Sequence, residues 1–153
     1  MKIEYREYNS RDEEELKQMI RGLYKEDQER EEIDDIKIHK TIREFMKNPS
    51  KLKIIIISYD NHVVGYSILI PFWSNEYGGN IIHIDELFIK GKYRNQGIGR
   101  DFIKNSKEFF EEVAALAMEV TSANRRALSL YRSLGFLEGN NKHLIYKLPL
   151  GLR

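Results

Sequence analysis

The stretch from Ile81 to Glu112 constrains the fold more than any other part of the chain. Ile81–Ile89 has the apolar, β-branched character of a strand, and Arg94-Asn95-Gln96-Gly97-Ile98-Gly99 follows it. Ile98, Phe102, Ile103 and Phe109 then recur at helical spacing, so a helix is predicted from Gly97 to about Glu112. A strand that runs into a loop with two glycines and restarts as a helix can cradle an anion. Glycines let the backbone approach a ligand closely. The helix start adds unpaired N–H groups and the positive end of its dipole. A phosphate-bearing ligand is one reading, and a turn that binds nothing is the other.

The residues missing from this loop narrow the ligand. A P-loop needs Gly-Lys-Ser/Thr after its second glycine, and Arg100-Asp101 follow Gly99 here. A dinucleotide fingerprint needs a third glycine where Phe102 stands, and it sits near the start of a βαβ unit rather than past mid-chain. ATP and NAD therefore fit poorly.

The rest of the chain reads as alternating strands and helices. Ile3–Arg6 is predicted as a strand. Ser10 and Glu13 form a capping-box pattern ahead of Leu16, Met19, Ile20 and Leu23. Ile38, Ile42, Phe45 and Met46 mark a second helix, ended near Asn48-Pro49. Leu52–Tyr59 and Val63–Ile70 are strands around an Asp60-Asn61-His62 turn, and Phe72–Asn80 is a loop. Ala115–Val120 reads as a buried strand, and Asn124–Leu134 as a helix closed by Gly135. Phe136-Leu137 and Leu144–Leu148 finish the chain as two strands. The predicted class is α/β with a mixed, mostly antiparallel sheet flanked by helices, in the order β-α-α-β-β-β-α-β-α-β-β.

The chain has 153 residues, the length of one domain spanning 1–153. A formal net charge of +1 argues against a broad nucleic-acid footprint. The absence of cysteine removes disulfides, thiolate zinc sites and a covalent thioester on the protein. The four histidines show no metal-ligand spacing, so no metal is expected. The longest obvious apolar run is Ile54–Ile57, so no membrane span is expected, and charges at Glu4, Arg6 and Glu7 interrupt any leader-like core. A cytoplasmic location is the expectation.

The strand leading to Tyr93-Arg94-x-x-Gly97-x-Gly99, with Asn124 and Tyr131-x-x-x-Gly135-Phe136 about thirty residues later, resembles the GNAT superfamily of acyl-CoA N-acyltransferases. Met118–Asn124 and Ala127–Tyr131 match the family's following strand and helix. Gly91 or Lys92 stands where many members place a proline, which alters loop stiffness more than chemistry. Trp73-Ser74, Tyr77-Gly78 and Ile84–Ile89, with the pair Asp85-Glu86, resemble the spermidine/diamine acetyltransferase branch. Glu119–Tyr131 equally resembles the ribosomal-protein and N-terminal acetyltransferase branch.

The resemblance implies acetyl transfer from acetyl-CoA to a primary amine, by direct attack in a ternary complex. Leu87, Phe88 and Ile89 would pair with the pantetheine arm as an added strand does. Backbone N–H groups from Asn95, Gln96, Gly97, Ile98, Gly99 and Arg100 would hold the pyrophosphate. Arg94 and Arg100 add charge there or stand as solvated arginines. Asn124, with Ala127 on the same helix, bonds the pantetheine or caps its own helix. Tyr131 is the family's position for the acid that protonates the leaving thiolate.

An alkylammonium must lose a proton before it attacks. Asp85, Glu86 and Glu119 are the candidate bases, and His83 is a lesser one. Asp85 and Glu86, as neighbours in a strand, are expected on opposite faces. The diamine branch favours Asp85 and the ribosomal branch Glu119. The acidic segment Tyr24–Ile38, with Glu26 and Asp27, would draw a polycation, and Trp73 and Tyr77 would wall an alkylammonium. A polyamine or other small amine is thus the expected acceptor, with a protein N-terminus or lysine as the alternative. A CoA-binding sensor without turnover is the reading of a different class. A homodimer is an expectation by resemblance.

Overall fold

In a computed structural model, which describes residues 2–152, the chain forms two compact units that meet in sequence between Thr121 and Ser122. The first holds one sheet in the order β1-β2-β3-β4-β5, formed by Ile3–Glu7, Lys53–Tyr59, His62–Ser74, Gly79–Ile89 and Val113–Ala117. Successive pairs from β1 to β4 are antiparallel, and β4–β5 is parallel. The sheet is therefore mixed and mostly antiparallel, as the sequence predicts.

Three helices lie in this unit: α1 (Glu13–Glu26), α2 (Asp35–Lys47) and α3 (Ile98–Asn105). The isoleucine run Ile54–Ile57 is buried on both faces of β2, so both faces need cover. Ile54 and Ile56 join Leu16, Met19 and Ile20 of α1 and Ile38 and Phe45 of α2 in one core. On the opposite face Tyr5, paired with Ile57, meets the Phe102 ring of α3 edge-on at 5.3 Å.

Local chemistry places several ends away from their predicted positions. The first capping box forms on Asn9 rather than Ser10. The Asn9 side chain accepts from the Arg11 N–H at 3.2 Å, and Asp12 accepts from the Asn9 N–H at 3.0 Å. Arg6 holds that Asp12 carboxylate through two bonds of 2.7 Å, which favours the earlier cap. Asp60 and Asn61 both take positive φ, the signature of a tight β2–β3 turn, and leave His62 to the strand. Phe72 and Trp73, expected in a loop, extend β3 by pairing with Ile81 and Asn80. α3 stops at Asn105 and continues as a single 3-10 turn, Ser106–Phe109. β5 begins at Val113, earlier than expected, and is half-buried rather than buried.

Gly65 fixes the approach of β3 to β4. A Cβ there would lie 2.3 Å from the Phe88 carbonyl oxygen and 2.8 Å from Ile89 Cδ1. Backbone cannot yield as a side-chain tip does. Gly65→Ala is therefore expected to destabilise the fold by about 1–3 kcal/mol, read as a drop in Tm. An unchanged Tm would mean that β3 and β4 can separate without penalty.

The second unit contains α4, Arg125–Ser133. Asn124 caps it, its side-chain oxygen accepting from the Ala127 N–H at 3.1 Å. At the far end the Phe136 N–H donates to the Tyr131 carbonyl and the Gly135 N–H to that of Arg132, both at 3.0 Å. This is a Schellman close, and the Tyr131 and Phe136 rings, 6.0 Å apart, supply its usual apolar contact. The two terminal strands predicted at Phe136-Leu137 and Leu144–Leu148 do not form among the described residues. Leu137, Leu144 and Tyr146 are largely exposed. Apolar residues make a strand only when a neighbour takes their N–H and C=O groups, and no strand ladder joins these segments among the described residues.

Candidate active site

A cavity of 570 Å³ opens between α1, α2 and the sheet, within the usual range of small-molecule sites. Tyr24, Asp85 and Glu86 line it, with apolar walls that include Ile38, Ile68 and Ile70. Both carboxylates therefore reach one cavity, against the expectation that adjacent strand residues face opposite ways. A β-bulge explains this. Ile68 pairs with Glu86 but Leu69 pairs with Ile84, so Asp85 is an extra residue without a partner in β3. Such a bulge re-aims side chains and breaks the alternation.

Glu86 is the better buried of the two, at 5% exposure. Its carboxylate accepts from the hydroxyls of Tyr24 at 2.6 Å and Tyr66 at 2.7 Å, and Arg30 Nη1 stands 3.9 Å away. Burial raises its pKa above the ordinary carboxylate value, against the lowering effect of the two tyrosines. The bulge is pinned from behind: Ser67 Oγ donates to the Glu86 carbonyl at 2.7 Å, and Arg30 donates to the Asp85 carbonyl at 2.8 Å.

His83 Nε2 lies 3.6 Å from Asp85 Oδ1, so these two share a face as predicted. The Asp85 hydrogen bond first, and then the charges of Asp85 and Glu119, raise the pKa of His83 against the effect of burial. Its preference for the charged form makes His83 a poorer base than a neutral imidazole. The raised value also sets a sign. The stabilisation is complete below about pH 6.5, the free-histidine value, and is lost as pH rises through the higher folded value. Asp85→Asn is expected to lower the His83 midpoint in an NMR titration, and an unmoved midpoint would remove Asp85 as the cause.

β4 also leads to the predicted cradle. Its pairing with β5 ends at His83–Ala117, while its own ladder with β3 continues to Ile89. Leu87–Ile89 thus have no β5 neighbour on that side and can add an extended chain. The loop beyond turns on positive φ at Asn95 (64°) and Gly97 (82°), and α3 starts at Ile98 with no side-chain cap. Asp101 N–H to Gly97 carbonyl is the first turn-closing bond. The N–H groups of Ile98 and Gly99 therefore have no intrahelical acceptor. Gly99 has ordinary φ, and a Cβ there would meet nothing within 4 Å. Nothing inside the protein demands glycine at that position, whereas an anion seated on the helix start would.

The sequence model of the acetyltransferase (GNAT) family matches residues 13–136. This chain belongs to that family. It is 36% identical over 75 residues to a thialysine N-epsilon-acetyltransferase of Bos taurus, a stretch that is 48% of this chain and 44% of that one. The chain thus matches under half the length of that curated relative. A possible acetyltransferase from Clostridium difficile 630 has the same fold, with a TM-score of 0.80 at 24% identity, over 96% of this chain and 98% of the other. So does AAC(6')-Iy in complex with the bisubstrate analogue CoA-S-monomethyl-acetylneamine, with a TM-score of 0.75 at 14% identity, over 97% and 99%. The family uses acetyl-CoA, and the free N–H groups, the open side of Gly99 and the unpaired edge of β4 suit its pyrophosphate and pantetheine.

Other sequence-predicted residues of this GNAT chain have different employment. Arg94 donates from Nε to the Ile89 carbonyl at 2.6 Å and from Nη2 to both Glu26 oxygens at 3.0 and 2.9 Å. It therefore ties the loop to β4 and α1. Glu26 is spent on that tie, and Asp27 on Arg30 at 3.0 Å. Neither lines the cavity. Trp73 and Tyr77 do not line it either: they sit at the β3–β4 hairpin tip, 58% and 57% exposed. Glu119 is exposed beyond β5 and is felt through its charge on His83. Tyr131, Asn124 and Ala127 lie in the second unit, where burial raises the Tyr131 hydroxyl pKa. Arg30, which sequence reading passed over, holds both the bulge and Glu86. Its only signal was a cation inside an acidic run.

Proposed function

We propose that this chain transfers an acetyl group from acetyl-CoA to the primary amine of a small molecule bound in the 570 Å³ cavity. The observation that carries the reading is Glu86, a buried carboxylate lining a cavity on the strand that leads into the cradle. Bound acetyl-CoA would supply the acetyl group as a thioester. An incoming ammonium is drawn to Asp85 and Glu86. Glu86, with its proton affinity raised by burial, takes the amine proton directly or through water, leaving a lone pair for attack. Tyr24, Tyr66 and Arg30 hold that carboxylate in place.

Ile98 and Gly99 N–H groups grip the pyrophosphate, and the free edge of Leu87–Ile89 orients the arm. The departing thiolate needs a proton donor, and Tyr131, whose hydroxyl keeps its proton at neutral pH, stands at the sequence position to which the family resemblance assigns that acid. The bovine relative's name supports a small amine acceptor, and polyamines and diamines, suggested by Asp85-Glu86, belong in the first acceptor panel. Thiol release from acetyl-CoA, measured over diamines, polyamines, amino acids and aminoglycosides, tests the reading. Acetyl-CoA binding without transfer to any of them would overturn it.

A further inference from the structure

The cavity carries its charged side chains in two groups. Asp85 and Glu86 come from β4, whereas Lys37, Lys40 and Glu44 come from α2 and Lys51 from the turn after it. Ile38, Ile68 and Ile70 line the same cavity. Two of the three lysines are already employed. Lys51 Nζ lies 2.9 Å from Glu44, and Lys37 donates to the Glu32 carbonyl at 3.1 Å and faces Glu31 at 3.9 Å. No ion pair or hydrogen bond engages the Lys40 side chain among the described residues. Much of the acidic segment expected to attract a polycation is likewise engaged. Glu26 pairs with Arg94, Asp27 with Arg30 and Asp35 with Arg21, and Asp34 caps α2. The cavity therefore offers an uncommitted cation on its helix side and two carboxylates on its sheet side.

We infer that the acceptor is a small ω-amino carboxylate, its amine at Asp85 and Glu86 and its carboxylate at Lys40. This rests on the acetyl-transfer reading and specifies its acceptor. A diamine would set its second ammonium against Lys40, where like charges repel. A carboxylate is attracted there instead, and the isoleucine walls accept the methylenes between. A single flexible ammonium suits one carboxylate, not the fork or backbone nest that a phosphate usually finds. The chemistry balances as in any amine acetylation. The C–N amide bond forms, the thioester C–S bond breaks, the ammonium proton leaves to the base, and the thiolate gains a proton.

The test uses the full chain, acetyl-CoA and three acceptors of similar length: δ-aminovalerate, its primary amide and cadaverine. The expected kcat/KM for δ-aminovalerate exceeds that for cadaverine by about tenfold or more. Lys40→Glu, checked for an unchanged melting curve, is expected to invert that ratio. Cadaverine used as well as δ-aminovalerate, or a ratio unmoved in Lys40→Glu, would overturn the inference while leaving acetyl transfer standing. No thiol release with any of the three, while another amine of the wider panel is acetylated, would overturn the inference alone, and no release across that whole panel would overturn both.

Discussion

Glu86→Gln is expected to lower kcat/KM for the amine by about 10²–10⁴-fold, with acetyl-CoA affinity retained. Glutamine preserves the size of the side chain, and the Tyr24 and Tyr66 hydroxyls can turn to meet its oxygen and its NH₂ group. The fold at the bulge should therefore survive, and what disappears is the proton acceptor. A second variant separates chemistry from packing. The Tyr24 hydrogen bond lowers the pKa of Glu86, so Tyr24→Phe should raise it further. The acid limb of the kcat/KM profile should then move to higher pH, because the base must lose its proton before it can act. Undiminished turnover in Glu86→Gln, or an acid limb that Tyr24→Phe leaves in place, would take the base role away from Glu86.

The sequence made the cradle legible because its glycines serve a local purpose. Gly97 needs positive φ, and Gly99 leaves space beside a helix start, so spacing alone marked a loop able to seat an anion. Tyr131-x-x-x-Gly135-Phe136 was legible for a similar reason, since a Schellman close is written within one helix end. The bulge was not legible. It depends on how β4 registers against β3, some twenty residues away, and one slipped residue turned two opposed carboxylates into neighbours in one cavity. Charge counting could not show which acids of the acidic segment are paired, because ion pairs are made in space. Arg21, Arg30 and Arg94 neutralise acids from different elements. The last two predicted strands had apolar residues but no ladder among the described residues, and apolar character alone does not make a strand.

Gly99→Ala should push stability and function in opposite directions. The residue has ordinary φ in the first turn of α3, and the added methyl meets nothing within 4 Å. Alanine loses less backbone freedom on folding than glycine, so the variant should be as stable or more stable, by up to about 1 kcal/mol. The same methyl would occupy the open side against which a pyrophosphate must lie to meet the N–H groups of Ile98 and Gly99. Pushing the anion back weakens charge-assisted hydrogen bonds worth about 1.5–3 kcal/mol each. Acetyl-CoA affinity should therefore fall by about 10–100-fold if a single such bond is lost. Calorimetric titration with acetyl-CoA, set beside a thermal melt, reads both effects. A lower Tm would show that glycine is there for the fold, and wild-type affinity would show that the pyrophosphate does not sit on this helix start.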